Sequence, residues 1–522
     1  MIPARHRAAL FGAATIAVAA ATGARVVDRP TDGVRAESAA CASSDAAVAR
    51  GRRIFRKGET RRGPLEAVLD RGETTLSGRD AACAGCHGPT GAGNEEGAIT
   101  VPSLRPERLF SAPGRYDDRS LGAALREGRA ADRRLLRMPM PRYRIDDADL
   151  ADLTAYLRCL GHDRDPGVGD DAVRVGAALP LSGPIAALGT AARDALAASF
   201  ADINRRGGVF RRRIDLVVED SGARDGEGAE ERLVARGVLA LVGSLVREDP
   251  ERAARLEAAE IPLVLPLVAA PERPPAHAFY LYPSDDVLAR VAVTHLARRG
   301  VDARLLVVHE QGPQGELSLA RAREEARVRG MPAPAALSVE PGRLEAAKLL
   351  DVVRSAPADA ILFVGAPTNF AAVVAAAEKL PGLTLYAPAA ALAGGATIPT
   401  ALRERVLFVR AALPRTALAE GASQLAAVLR QHGVAERHLP FQIGAAVAAR
   451  VLEEGLRRAG DPPTRDGLMT SLESLRDFET GLSPPLSFGR NRHVGVLGAH
   501  VLRLDEVQGA PARAPTWIGL VP

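Results

Sequence analysis

The sequence predicts a multidomain protein, with an all-α unit over residues 45–162 followed by a two-lobed α/β unit over residues 173–522. Three observations lead there. Cys83-Ala84-Gly85-Cys86-His87 is a C-x-x-C-H motif, the attachment signature of c-type haem. Helical patterns bracket that motif, at Ala46–Phe55 and again from Leu150 to Leu160. Beyond residue 172, short apolar runs alternate with helical stretches, the pattern of parallel strands covered by helices. That second region spans roughly 350 residues, more than one core accommodates, so it divides into two lobes.

The chain opens with Arg5 and Arg7 ahead of an Ala-rich apolar run, Ala8 to Ala21. This reads as a secretory signal over residues 1–24, cleaved near Ala21 or Ala24, with residues 25–44 as a linker. The run is short for a membrane span, and an uncleaved anchor is the alternative. No convincing lipobox precedes Cys41. Covalent haem attachment happens outside the cytoplasm, so signal and motif together place the protein in the periplasm.

The motif carries its chemistry in its spacing. Two thiols add across the haem vinyl groups and the adjacent His87 imidazole reaches the iron as proximal ligand. All three must therefore lie on one face of one porphyrin. A thiol redox pair or half a zinc site are the other readings of a bare C-x-x-C, but zinc needs two more close ligands and none follows at finger spacing. One motif implies one covalent haem c. Gly88 and the turn Gly91-Ala92-Gly93 follow it. Met138-Pro139-Met140-Pro141-Arg142-Tyr143 precedes the last helix. That helix carries Leu150, Leu153, Tyr156, Leu157 and Leu160, with Asp146, Asp147 and Asp149 at the dipole's positive end.

With motif, Met-bearing loop and terminal helix in this order, residues 45–162 resemble class I cytochromes c. The resemblance implies a thioether sulfur as sixth iron ligand, soft and neutral, favouring ferrous iron. Met140 matches that position and Met138 is its rival; two core methionines are the alternative. The polar stretch Arg56–Asp80 departs from the compact family pattern and reads as an inserted surface loop. Of four cysteines, Cys41 and Cys159 remain after haem attachment. They flank the first and last helices, which cross in this family, and an oxidising compartment favours a Cys41–Cys159 disulfide. Unpaired thiols or a lipid on Cys41 are the alternatives. Arg126, Arg129, Arg133, Arg134, Arg137, Arg142 and Arg144 cluster around the Met loop, as a rim for an acidic redox partner or as a solvated face.

Residues 163–172 are polar and contain Gly and Pro, so they read as a linker. Val173–Leu179, Ile214–Glu219, Val238–Val242, Pro262–Leu265, Arg304–Val308 and Ala360–Val364 read as strands, with helices such as Ile185–Arg206 and Phe370–Leu380 between them. Leu179-Pro180-Leu181-Ser182-Gly183-Pro184, Ile203-Asn204-Arg205-Arg206-Gly207-Gly208, Leu241-Val242-Gly243-Ser244 and Phe478-Glu479-Thr480-Gly481 follow in order. From Val173 onward the chain is similar to type I periplasmic solute-binding proteins of the branched-chain amino acid group. That implies two lobes joined by three crossing segments and closing on a small ligand. It also implies a transporter permease as partner. The matching ligand positions are Ser182, Ser244, Ala269 and Gln314. The family's hydroxyls are missing, because Leu245-Val246-Arg247 and Leu265-Pro266-Leu267-Val268-Ala269-Ala270 stand in their place. A carboxylate against Leu and Val is disfavoured, which argues against an ordinary amino acid as ligand. Arg247 either clamps an acid or starts the helix Glu248–Glu260.

The pI of 9.2 reflects arginine-rich codon usage rather than a nucleic-acid partner, because no basic run is interleaved with the sparse aromatics (4%). No Ser-His-Asp set, paired carboxylates, P-loop or second metal site stands out, and His309, His432, His438 and His493 are isolated. The chain therefore reads as an electron-transfer protein rather than an enzyme. By analogy, its redox partner is a periplasmic dehydrogenase of the quinoprotein type. The alternative is a transporter's solute receptor with haem as redox or gas sensor.

Overall fold

The computed structural model describes residues 46–69, 74–96, 99–111, 115–222, 228–246, 249–510 and 516–520. The expected signal, the linker 25–44, Cys41 and Arg247 lie outside the described residues.

The first domain is built on two crossed helices, Ala46–Lys57 and Asp147–Leu157. Val48, Ile54 and Phe55 form the buried stripe of the first, and the Phe55 and Tyr156 rings meet at 5.5 Å. The axes approach closely at Gly51, where a Cβ would overlap the Asp152 carbonyl and the Tyr156 Cβ. Asp146 caps the last helix, accepting from the Asp149 N–H at 2.8 Å.

The all-α expectation needs correction. The presumed surface loop holds a hairpin, Glu66–Leu69 with Thr74–Ser77, and its inner strand also pairs with Arg142–Arg144. Two further short ribbons pair Glu59–Thr60 with Gly63–Pro64 and Asn94–Glu96 with Ile99–Val101. Leu65 and Ala67 are buried in the domain core while Glu66 between them is exposed, a strand alternation too short to read locally. Its register is set by a partner more than seventy residues away.

The second domain has two sheets, each buried on both faces. The first has five parallel strands in the spatial order Ala278–Phe279, Leu263–Val264, Leu241–Val242, Ala172–Leu179, Arg213–Asp220. The second has seven, in the order Ala335–Val339, Leu305–Glu310, Ala360–Val364, Thr384–Pro388, Val406–Arg410, Gly498–Leu502, Thr516–Gly519. Its last two strands run antiparallel to their neighbours, an edge that periodicity alone did not announce. The chain passes between the lobes after Phe279, after Arg410 and after Phe488. The helix Asp285–Arg299 packs in the second lobe, whereas Arg415–Gln431 and Leu439–Ala459 return to the first.

Residues 163–171, expected to be a polar linker, form a packed joint. Asp165 is 2% exposed and Val168 joins the first-lobe core. Arg56, itself 5% exposed, donates to Asp165 at 3.2 Å and Asp163 at 3.3 Å, and Arg52 also pairs with Asp165. From the other side the Arg465 N–H donates to Asp165 at 2.6 Å. The Arg465 guanidinium binds the carbonyls of Val238, Leu239 and Ala259 at 2.8, 3.1 and 2.9 Å. Burial and the neighbouring Arg52 push Arg465 down to about 10. Lys57–Glu260 at 2.6 Å, Arg79–Glu473 at 3.6 Å and Asp80–Arg490 at 3.1 Å complete the contact between domains.

Two outcomes follow from these ion pairs. Asp165→Ala removes the fully buried carboxylate that Arg52 and Arg56 share, leaves Arg56 only its longer contacts to Asp163 and Asp466, and lowers stability by about 3 kcal/mol, measured by denaturant unfolding of the full chain, with new protease sensitivity at 163–171. Asp80→Ala removes an exposed pair and costs under about 1 kcal/mol; equal effects for the two would show that the joint is not buried. The second outcome concerns Asp152, held bidentately by Arg50 (2.7 and 3.0 Å) and by Arg61 (2.8 and 2.9 Å). Burial alone would raise this carboxyl, but the two guanidinium groups outweigh it and hold it below the usual range. Its stabilisation is thus present above the unfolded value near ~4 and is lost as pH falls through the lower folded value. Asp152→Asn should lower the first domain's thermal midpoint at neutral pH, and the gap to wild type should close in acid.

Candidate haem site and interlobe cleft

The attachment motif sits on a single helical turn, Ala84–His87, entered from the turn Gly78–Ala81. The His87 N–H bonds the Cys83 carbonyl at 2.9 Å, which sets both thiols and the imidazole along one short segment. Cys83 is buried, Cys86 is exposed, and His87 is 5% exposed. The His87 Nδ1 lies 2.9 Å from the Pro102 carbonyl. A carbonyl can only accept, so Nδ1 carries the proton and Nε2 keeps its lone pair for a metal. Burial lowers the His87 pKa, which keeps the ring neutral, the ligating form. The Cys83 thiol is pushed up to about 11 by burial, partly offset by its bond to the Tyr143 hydroxyl.

Met140 packs against the same apolar cluster that contains Cys83, Leu125, Tyr143 and Leu153. Met138 is 48% exposed. Among the described residues no group of three or more His, Cys, Asp or Glu is arranged to hold a metal ion. The donor set at the motif is two thiols, one buried imidazole with a free Nε2 and one thioether on an apolar wall. That set fits a covalently bound haem.

The arginine rim is thinner than the sequence suggests. Arg126 bonds Asp147 and the Ile145 carbonyl, Arg129 pairs with Glu127, Arg134 with Asp132 and Arg144 with Glu66. Arg142 turns inward onto backbone carbonyls. Arg133 and Arg137 stay exposed. Cys159 is buried just past the last helix, while its expected partner Cys41 lies outside the described residues.

In the second domain the four cleft candidates do not form one polar set. Ser182 is tied to Asp220, whose carboxylate also accepts from the Leu181 and Gly222 N–H groups, both at 2.8 Å. Ser244 faces the interior of the first lobe. It is 0% exposed, and its Oγ accepts from the Ala178 N–H at 3.1 Å, linking two strands of the first sheet. Ala269 is exposed, and Gln314 is exposed in the first turn of Pro313–Val328. Leu181, Leu245 and Leu267 lie partly buried on the first-lobe core. Two structural carboxylates escaped the sequence reading. They are Asp220 and Glu310, the latter accepting from the Ala366 N–H at 2.8 Å and the Asn369 amide at 3.1 Å. Only their position at strand ends hinted at the role.

The family model described as periplasmic binding protein matches residues 172–510. The chain belongs to that family. A second model, cytochrome c, matches residues 71–161, so the protein joins a cytochrome c domain to a periplasmic binding protein domain. The binding-protein domain is 21% identical over 331 residues to the Leu/Ile/Val-binding protein BraC3 of Rhizobium johnstonii, covering 59% of this chain and 86% of that protein. Its fold is shared with the fatty acid ABC transporter substrate-binding protein from Thermomonospora curvata (TM-score 0.51, 20% identity, 68% of this chain and 94% of that one). It is shared also with a branched chain amino acid ABC transporter protein from Thermus thermophilus with bound valine (TM-score 0.51, 17% identity, 67% and 97%). A cytochrome c domain implies covalent haem c, and both families point to an extracytoplasmic location. Among the described residues no helix is long and apolar enough to cross a membrane.

Proposed function

We propose that the protein is a periplasmic electron carrier with one haem c, accessory to a dehydrogenase of the quinoprotein type. The carrying observation is the buried His87, its Nδ1 proton spent on Pro102 and its Nε2 free, in the motif that holds both thiols, with Met140 packed on the apolar cluster that contains Cys83. Haem c attached at Cys83 and Cys86, with His87 and Met140 as axial ligands, would supply one-electron chemistry when bound. The chain's own part is to exclude water with the apolar wall, to fix the imidazole tautomer and to hold the thioether. Exposed Arg133 and Arg137 beside the Met loop suit an acidic redox partner. No turnover of a substrate is proposed. The visible spectrum of the holo-protein tests this reading. The Met–ferric charge-transfer band should vanish in Met140→Ala and persist in Met138→Ala, with a lower reduction potential in the former alone. A high-spin spectrum indifferent to both substitutions would defeat it and favour a gas or redox sensor.

The binding-protein domain supports a receptor role beside electron transfer, with a transporter permease as a further partner. Leu245 and Leu267 in place of the family's hydroxyls, and the internal Ser244, favour a ligand less polar than an amino acid. One structural neighbour is named for fatty acids, so a medium-chain fatty acid, its carboxylate held away from these leucines, is the class to test first. In thermal unfolding of the full chain, saturating decanoate should raise the binding-domain midpoint by about 3 °C or more, and valine should leave it unchanged. A shift with valine and none with decanoate would reverse the assignment.

A further inference from the structure

The segment that carries both methionines is held by one side chain. Arg142 Nη1 donates to the Met140 carbonyl at 2.6 Å and lies 3.4 Å from the Pro141 carbonyl, and Nη2 donates to the Leu136 carbonyl at 3.0 Å. All three carbonyls belong to the Met loop. Among the described residues no carboxylate pairs with Arg142, so its donors are spent on backbone geometry rather than on charge neutralisation. This sets it apart from Arg129, Arg134 and Arg144 around it, each of which pairs with an acid.

Both ends of the clamp are themselves fixed. The Arg142 backbone is anchored opposite Val68 in the inserted hairpin, with Tyr143 opposite Ala67. The guanidinium lies over Gly128, the left-handed residue (φ +72°) that ends the helix Asp118–Glu127. A Cβ at Gly128 would overlap the Arg142 Nε, Cζ and Nη2 atoms. The Leu136 N–H closes the ring by donating to the Gly128 carbonyl at 2.8 Å. The loop is thus pinned between an inserted strand on one side and a helix terminus on the other. A methionine side chain has three rotatable bonds and no shape of its own, so its sulfur can be held in place only if its backbone is.

We propose that Arg142 is the positioning residue for the distal ligand, fixing the Met140 loop so that the thioether stays directed at the iron. This rests on the reading of Met140 as that ligand. The planar fork is essential, because it reaches carbonyls at two places on the loop at once, which a single ammonium does not reproduce.

The test uses the full-length holo-protein and two readouts, the ferric Met–iron band and the rate at which the ferrous form binds carbon monoxide. Arg142→Gln should weaken the band and speed carbon monoxide binding by about tenfold, since charge-assisted hydrogen bonds of this kind bias a loop equilibrium by that order. Arg142→Lys should lie between Gln and wild type. Gly128→Ala, which displaces the guanidinium while leaving every donor in the chain, should move both readouts in the same direction even if Arg142→Gln fails to fold. Far-UV circular dichroism and the thermal midpoint separate this from general loss of structure, which leaves the band intact well below the midpoint. A wild-type band and rate in both Arg142→Gln and Gly128→Ala overturn the proposal alone. A wild-type protein with no band, binding carbon monoxide as fast as Met140→Ala, overturns the ligand reading and the proposal together.

Discussion

The buried joint around Asp165 is the constraint on which the arrangement of this protein depends. Two guanidinium groups, of Arg52 and Arg56, and the backbone N–H of Arg465 converge on one carboxylate that is 2% exposed. They come from two sides: Arg52 and Arg56 from the first helix of the cytochrome c domain, Arg465 from the binding-protein domain. Burying such charges costs several kcal/mol per ion, and their mutual attraction only offsets it when the geometry is complete. The joint therefore tolerates little variation in how the domains meet. Its value is orientation more than net stability. It turns two families that fold independently elsewhere into one body, with the turn before the haem motif resting on Glu473 and Arg490 of the partner domain.

The cytochrome c domain shows how an insertion can be absorbed into function. The residues between the first helix and Cys83 look like excess surface in one dimension. In three dimensions they supply the strand that anchors the exit of the Met loop. The His87 ring needs no such support, because its bond to Pro102 is made within fifteen residues of chain. His87 and the Met loop are thus held differently, one by local chain geometry and one by long-range pairing.

In the binding-protein domain the serines that match the family pattern have structural partners. The serine hydroxyl retained at position 244 serves a strand–strand contact, and the loop bearing Ser182 is organised by Asp220. Both lobes nevertheless keep sheets buried on both faces. The fold of the family is preserved.

The division between what was legible and what was not follows the range of the interactions. The C-x-x-C-H motif, the helices Ala46–Lys57 and Asp147–Leu157, and half of the strands in the second domain could be read locally, because each rests on a periodicity or spacing within a few residues. The Ala360–Val364 strand is observed where the apolar run placed it. The hairpin within the insertion, the antiparallel edge of the second sheet and the burial of the segment 163–171 could not be read. A polar residue such as Asp165 looks solvated until its partners are known, and those partners lie elsewhere in the chain; Arg465 is 300 residues away from Asp165. The sequence by itself determined which chemistry the chain carries and which two families it joins. Tertiary structure alone decided which arginines face water, which serine is spent inside a sheet and how the domains are held, because a side chain's role in those matters is set by burial and by partners that only folding brings within reach.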